Sequence, residues 1–181
     1  MENLLLVSGA ICAGKSAVAK ALGNLAGFRK IGSSDYLRTY GRERFPAESR
    51  HELQELGDLL DHETDFQWLA RDVAIPAIEA SPGVPNWLLD AVRKSRQVDH
   101  FRAHFGPTIH HIHLVAPEDV LKARYAFRPD ASETPYEQAI AHPNEQASRA
   151  LVGIADDVFD TSQISAEKIA AKVIKDWSLA I

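Results

Sequence analysis

Gly9-Ala10-Ile11-Cys12-Ala13-Gly14-Lys15-Ser16 has the spacing G-x-x-x-x-G-K-S. It stands between an apolar run, Leu4-Leu5-Leu6-Val7, and a helical pattern, Ala17-Val18-Ala19-Lys20-Ala21-Leu22. A strand that turns through a glycine-rich loop into a helix is the context in which this spacing holds phosphates. Glycines let backbone N–H groups approach and surround the anion, and the helix start adds the positive end of its dipole. Lys15 brings a compact charge to the β- and γ-phosphates, and Ser16 a hydroxyl for Mg²⁺. The ligand class is therefore a nucleoside triphosphate. Its phosphates are expected on Gly9, Ala10, Ala13, Gly14, Lys15, Ser16 and Ala17.

Working outward, short apolar runs at Leu4–Ser8, Phe28–Ile31, Trp87–Ala91 and Ile109–Val115 predict buried parallel strands, with a fifth at Asp157–Asp160. Helical periodicity separates them. Val18, Ala21, Leu22 and Leu25 share a face, as do Leu53, Leu56, Leu59 and Leu60; further stripes run through Phe66, Leu69, Val73 and Ala77, and through Ile169, Val173 and Trp177. Strand alternating with helix predicts a three-layer α/β sandwich on a five-stranded parallel sheet. Pro76 is expected to kink or end the helix around it. Arg128 to Asn144, with Pro129, Pro135 and Pro143 and the acids Asp130, Glu133 and Glu137, reads either as a lid or as a proline-bounded surface helix.

The 181 residues suit one domain, with an acceptor-binding helical segment at about 33–80 and a lid at about 124–145. A hydrophobic fraction of 45% and a charged fraction of 25% exclude disorder as the main state, and a net charge of −5 gives no basic field for nucleic acid. One cysteine, Cys12, excludes an intramolecular disulfide. With no membrane-length apolar run and no basic leader, the expectation is a cytoplasmic protein, monomer or homodimer, with small-molecule nucleotide substrates and no nucleic-acid or membrane partner.

Beyond the loop, Ser33-Ser34-Asp35-Tyr36-Leu37-Arg38 follows the second strand, where a parallel sheet opens its crevice. Ser33, Ser34 or Asp35 can cap a helix. Asp35 can also take a proton from an attacking hydroxyl or help place Mg²⁺, and Arg38, on the same helical face, can hold an acceptor phosphate. Leu88-Leu89-Asp90 is an apolar run ending in a carboxylate, the Walker B pattern that reaches Mg²⁺ through water. Arg93 follows at the same edge. Arg124 and Arg128, i and i+4, suit charge developing on a transferring phosphoryl group. The strand histidines alternate, with His111 and His113 on one side and His110 on the other, a poor basis for a metal site. Trp68 and Trp87 read as core or as acceptor-pocket walls. Asp58, Asp61, Glu63 and Asp65 read as a solvated helix end.

Gly9–Ser16, Ser34–Arg38 and Asp90–Arg93 together resemble the nucleoside monophosphate kinase superfamily. Ile31–Arg38 is similar to the adenylate kinase segment ending Gly-Asp-Met-Leu-Arg, whose arginine binds the acceptor monophosphate; the resemblance gives Arg38 that role. Asp90-Ala91-Val92-Arg93 is one residue shorter than the Asp-Gly-Phe-Pro-Arg of adenylate kinases. It looks more like phage deoxynucleotide monophosphate kinases and dephospho-CoA kinases, as do Leu53–Leu60 with Trp68-Leu69 and, for the latter, Glu145–Ser148 with Ala155–Ser162. Asp35 aligns with the acid that dephospho-CoA kinases turn toward a ribose hydroxyl.

The resemblance implies an ATP- and Mg²⁺-dependent phosphotransferase. Lys15, Asp35, Arg93, Arg124 and Arg128 would be catalytic, Ser34, Asp35, Arg38 and Arg93 would bind the acceptor, and Ser16 and Asp90 would hold the metal. A (deoxy)nucleoside monophosphate is the first expectation for the acceptor. A hydroxyl acceptor, as in dephospho-CoA or nucleoside kinases, stands second, and a nucleotide-gated switch ATPase is the reading from another class.

Overall fold

A computed structural model describes residues 1–42, 49–128, 131 and 134–178. Its strands are β1 (Asn3–Gly9), β2 (Arg29–Ile31), β3 (Asn86–Leu89), β4 (Ile109–Val115) and β5 (Asp157–Asp160). All five expected runs form strands. They join in one parallel sheet in the order β2-β3-β1-β4-β5. The helices are α1 (Lys15–Ala26), α2 (Ser34–Arg42), α3 (Arg50–Glu63), α4 (Ile75–Glu79), α5 (Ser95–Phe105), α6 (Glu118–Tyr125), α7 (Tyr136–Ala141), α8 (Pro143–Ala150) and α9 (Ala166–Ser178). The result is the predicted three-layer α/β sandwich.

β1 explains why the sheet is covered on both faces. Its side chains alternate, and both sets are apolar. Leu5 and Val7 enter one core with Leu22, Leu121 and Ile169 from α1, α6 and α9. Leu4 and Leu6 enter the other with Leu56, Trp68 and Phe101. The chain leaves β1 toward β3 and β2, then crosses back to β4 and β5, so the strand order switches beside β1. The crevice at the carboxyl ends of β1 and β3 is where such folds bind ligands.

Two local features shape the segment from α3 to α4. Ser49 caps α3 in a capping box: its hydroxyl accepts from Glu52 N at 3.2 Å, and Glu52 Oε2 accepts from Ser49 N at 2.8 Å. Pro76 neither ends nor sharply breaks its helix. Leu69–Ala74 widens into π-helical turns, with the Ile75 N–H donating to Ala70 O, and α4 continues with Pro76 in its first turn. The wider turn absorbs the N–H that proline lacks.

Of the expected mobile segment, Pro129, Asp130 and Glu133 lie outside the described residues. The rest holds α7 and the start of α8. Tyr136 anchors α7: its ring meets Tyr125 at 5.2 Å, its hydroxyl donates to Glu118 at 2.7 Å, and burial pushes its phenol up to about 12. The strand histidines alternate as expected, His111 and His113 both bonding the Ser8 hydroxyl and His110 bonding Asp157 at 2.9 Å. Among the described residues, no helix is long and apolar enough to cross a membrane.

Candidate active site

The loop between β1 and α1 has the conformation its sequence demands. Gly9 has φ +138°, and a Cβ there would stand 2.3 Å from the Leu114 carbonyl oxygen of β4, so only glycine fits. Gly14 has φ +94°, which turns the chain into α1. Lys15 folds back over the loop and donates to the carbonyls of Gly9 (2.6 Å) and Ala10 (2.8 Å). Lys15 is partly buried, and it lines the cavity in front of the loop. Burial, reinforced by Arg93, pushes its ammonium down to about 8, against the upward pull of Glu145, Asp90 and Cys12. The loop therefore presents a cation that its surroundings disfavour and that a bound anion would stabilise.

Three cavities run in a line along the carboxyl edge of the sheet. The central one, about 290 Å³, is walled by Ile11, Gly14, Lys15 and Ser16 of the loop and by Arg93, Arg124 and Arg128. On one side an apolar slot of about 340 Å³ lies between Gly14, Ala17 and Val18 of α1 and Thr161, Ile164 and Ser165 after β5, with Arg124 at its border. On the other side a cavity of about 300 Å³ has a Trp68 floor. Leu37, Leu53 and Gly57 line it with Ser34, Asp58, Asp61, Asn144, Arg93 and Arg128. Arg93 and Arg128 line both this cavity and the central one.

Most predicted residues thus meet at the loop. Lys15, Ser16, Arg93, Arg124 and Arg128 surround the central cavity, and Ser34 lines the Trp68-floored cavity beside it. Arg124 is fixed: Nη1 donates to Thr161 Oγ1 (2.8 Å) and to the Cys12 carbonyl (3.3 Å), and Nη2 to the Thr161 carbonyl (2.9 Å). It thereby ties the loop to the segment after β5.

Asp35 and Arg38 depart from expectation. They pair with each other at 3.2 Å on α2, but Asp35 is 99% exposed and neither lines these cavities. The spacing that put them on one face was correct; the packing of α2 turns that face to solvent. Asp90 stands at the end of β3 as predicted, bonded by Lys30 of β2 at 2.7 Å and near enough to Lys15 to favour its charge.

A hydroxyl from Ser16 and a carboxylate from Asp90, with phosphates and water completing the shell, is the oxygen donor set that Mg²⁺ takes in nucleotide sites. The residues fit the metal. Among the described residues no group of three or more His, Cys, Asp or Glu side chains assembles, so the phosphates would supply the remaining charge.

Two contributions escaped the sequence reading. The acids of α3 are not all solvated. Asp61 is 5% exposed, and its Oδ1 accepts from Trp68 Nε1 and Gln97 Nε2, both at 2.8 Å; burial pushes its carboxyl up against those donors. The signal that could have found it is its four-residue spacing from Gly57 and eight-residue spacing from Leu53, which puts it on the same helix face as Leu53. The second is α8, which docks on the loop. Glu145 Oε1 accepts from Ile11 N at 2.8 Å and from Arg149 Nε at 3.1 Å, and Ser148 donates to the Gly9 carbonyl at 3.1 Å. Glu145→Ala leaves a buried N–H without its acceptor. It is expected to cost about 1–3 kcal/mol in urea denaturation, and an unchanged midpoint would show that water replaces the carboxylate.

No protein-family profile matches the chain, and no curated protein sequence matches it. Solved structures do. YorR protein from Bacillus subtilis, in complex with phosphorylated GDP, shares 19% identity over 98% of this chain and 97% of its own, with a TM-score of 0.59. Shikimate kinase from Bacteroides thetaiotaomicron shares 14% over 99% of each chain, with a TM-score of 0.55. The fold is that of the P-loop kinases. The tunicamycin resistance protein of Deinococcus radiodurans has it too, at 16% identity over 97% of this chain and 95% of its own, with a TM-score of 0.55. In this P-loop kinase fold the glycine-rich loop, the Asp90 strand end and the crevice beside α3 occupy one edge of the sheet.

Proposed function

We propose that the chain transfers the γ-phosphoryl group of ATP to a hydroxyl of a small acceptor. One observation carries this: Arg93 and Arg128 line both the P-loop cavity and the Trp68-floored cavity beside it. Two cations on a shared border suit a group that passes from one cavity to the other. The apolar slot beyond Arg124 suits the nucleoside. A nucleoside monophosphate acceptor, the first expectation from the sequence, has only Arg93 of its expected arginine pair at the cavity, because Arg38 is engaged by Asp35 outside it. The kinases sharing the fold include a shikimate kinase, whose name gives it an alcohol substrate, and this favours the hydroxyl.

In the step itself, the acceptor oxygen bonds to the γ-phosphorus as the bond to the β,γ-bridging oxygen breaks. ADP keeps that electron pair, and the hydroxyl proton leaves to solvent. A loose transition state asks little of a base and much of position and charge. Lys15 and the loop N–H groups hold the β- and γ-phosphates, while Arg93 and Arg128 face the equatorial oxygens. Mg²⁺ held by Ser16 and Asp90 would neutralise charge between the β- and γ-phosphates when bound. Arg93→Ala is expected to lower kcat about a hundredfold, with ATP affinity by equilibrium dialysis much less affected. If labelled phosphate from ATP appears only as inorganic phosphate whatever acceptor is offered, and Arg93→Ala leaves that rate unchanged, the transferase assignment falls and a hydrolysing switch replaces it.

A further inference from the structure

The wall of the acceptor cavity holds hydrogen-bond acceptors for which the described residues supply no donor. Asn144, at the start of α8, is 3% exposed. Its Nδ2 donates to Asp58 Oδ2 at 2.8 Å, and because a carboxylate offers only acceptors, that bond fixes which way the amide points. Its Oδ1 is buried without a partner. Asp61 meets both of its donors, Trp68 and Gln97, at Oδ1, which leaves Oδ2 without a donor from the described residues. Gln97 spends one Nε2 hydrogen on Asp61, and its Oε1 accepts from Arg93 N and Lys94 N. Asp58 is engaged by Asn144 and, at 3.5 Å, by Lys94.

We propose that this cavity selects an acceptor that presents hydroxyl or amino donors and carries no phosphate, and that Asn144 and Asp61 are the residues that select it. The proposal rests on the phosphotransferase assignment and narrows its substrate. A ligand that brings two O–H or N–H donors can satisfy Asn144 Oδ1 and Asp61 Oδ2, one donor to each. A phosphate or carboxylate on the acceptor offers neither a donor, and it would lie against two carboxylates, Asp58 and Asp61. The arginines of the cavity stand on the border it shares with the P-loop, where the transferred group itself needs them. A volume of about 300 Å³ is at the small end for ligand pockets, and the Trp68 ring offers an apolar floor for the C–H face of a compact polyol. A site built to bond a substrate hydroxyl discriminates strongly, because an analogue lacking it leaves buried polar groups unpaired.

The test is ADP release from MgATP with three acceptor panels at millimolar concentration: neutral monosaccharides and cyclitols, amino sugars, and (deoxy)nucleoside monophosphates. ATP binding is measured separately by equilibrium dialysis. A member of the first or second panel is expected to raise the rate about tenfold or more over water, and which of the two responds separates a hydroxyl ligand from an ammonium one. Asp61→Asn keeps a carbonyl for Trp68 and Gln97 but turns the open oxygen into a donor, and Asn144→Leu removes the other acceptor. Each should raise the acceptor KM about tenfold with the ATP KM within about twofold, at an unchanged thermal midpoint for Asp61→Asn. Monophosphates as the sole productive panel would overturn the proposal and leave phosphotransfer standing. So would ATP binding with no response from any panel, or variants with unchanged acceptor KM. Failure to bind ATP would instead remove the phosphotransferase assignment beneath it.

Discussion

Lys15→Met is expected to lose about a thousandfold in phosphotransfer and, in the absence of nucleotide, to be more stable than the natural chain. The first effect follows from position. Lys15 is the cation of the loop, poised over the Gly9 and Ala10 carbonyls at the wall of the central cavity. The second follows from the depression of its pKa to about 8 from the usual 10.5. Below pH 8 the folded protein holds a charge that its surroundings disfavour, and methionine removes that cost. As pH rises from about 8 to 10.5 the folded lysine sheds its proton while the unfolded one keeps it, so the natural chain gains stability and the variant's advantage fades. The full shift corresponds to about 3 kcal/mol. The ammonium borders an open cavity, and the variant also gives up two hydrogen bonds, so about 1–2 kcal/mol is the expected gain at pH 7. The abandoned carbonyls keep partners, Gly9 O from Ser148 and Ala10 O from Ala13 N. Urea midpoints of both proteins at pH 7 and above pH 10 measure this. A variant less stable at pH 7 would show that the two carbonyls need the ammonium more than the loop resents it.

Acid should unfold this protein early, through a pair of histidines beneath the loop. Ser8, His111 and His113 are almost wholly buried, and the Ser8 hydroxyl bridges His111 Nε2 at 2.7 Å and His113 Nδ1 at 2.8 Å. The hydroxyl donates to one ring and accepts from the other, and the ring that accepts must be neutral. Burial pushes both imidazoles down to about 4, helped by Arg102 for His111 and by Lys15 for His113. In the unfolded chain they titrate near 6.5. Between pH 6.5 and 4 the unfolded state therefore binds more protons, so stability is fully present above 6.5 and drains away as pH falls through that window. Each shift is worth about 3 kcal/mol. The rings share one hydroxyl and titrate as a pair, so about 3–6 kcal/mol is the expected loss, a large part of a typical domain's 5–15 kcal/mol. Urea denaturation from pH 7 to pH 4 should show the decline, flattened in Ser8→Ala/His111→Leu/His113→Leu. An equal slope in the triple variant would place the acid sensitivity elsewhere.

What could be read from the sequence was local. The loop, the strand runs and Asp90 announce themselves within a few residues of chain, because phosphate cradling and strand burial each impose a short pattern. Arg93 could be singled out because it follows the β3 strand end, and Arg124 and Arg128 because of their i, i+4 spacing on the helix after β4. Asp35 and Arg38 show where this stops: their spacing predicts a shared face, but the packing of α2 decides what the face sees. Asp61 fails in the opposite direction. Among Asp58, Glu63 and Asp65 it looks like solvated charge, and only Trp68 and Gln97, the latter 36 positions away, bury it. Asn144 carries no motif, and the resemblance of Glu145–Ser148 to dephospho-CoA kinases assigned Glu145 no role; both matter because α8 returns to the loop from far along the chain.

The first glycine of the loop bears on how its signature is understood. Gly9 is pinned by the Leu114 carbonyl, an oxygen of the neighbouring strand 2.3 Å from where a methyl would stand. No anion enters that constraint. The opening letter of the phosphate-binding pattern is here the imprint of a seam between two strands, a constraint independent of any ligand.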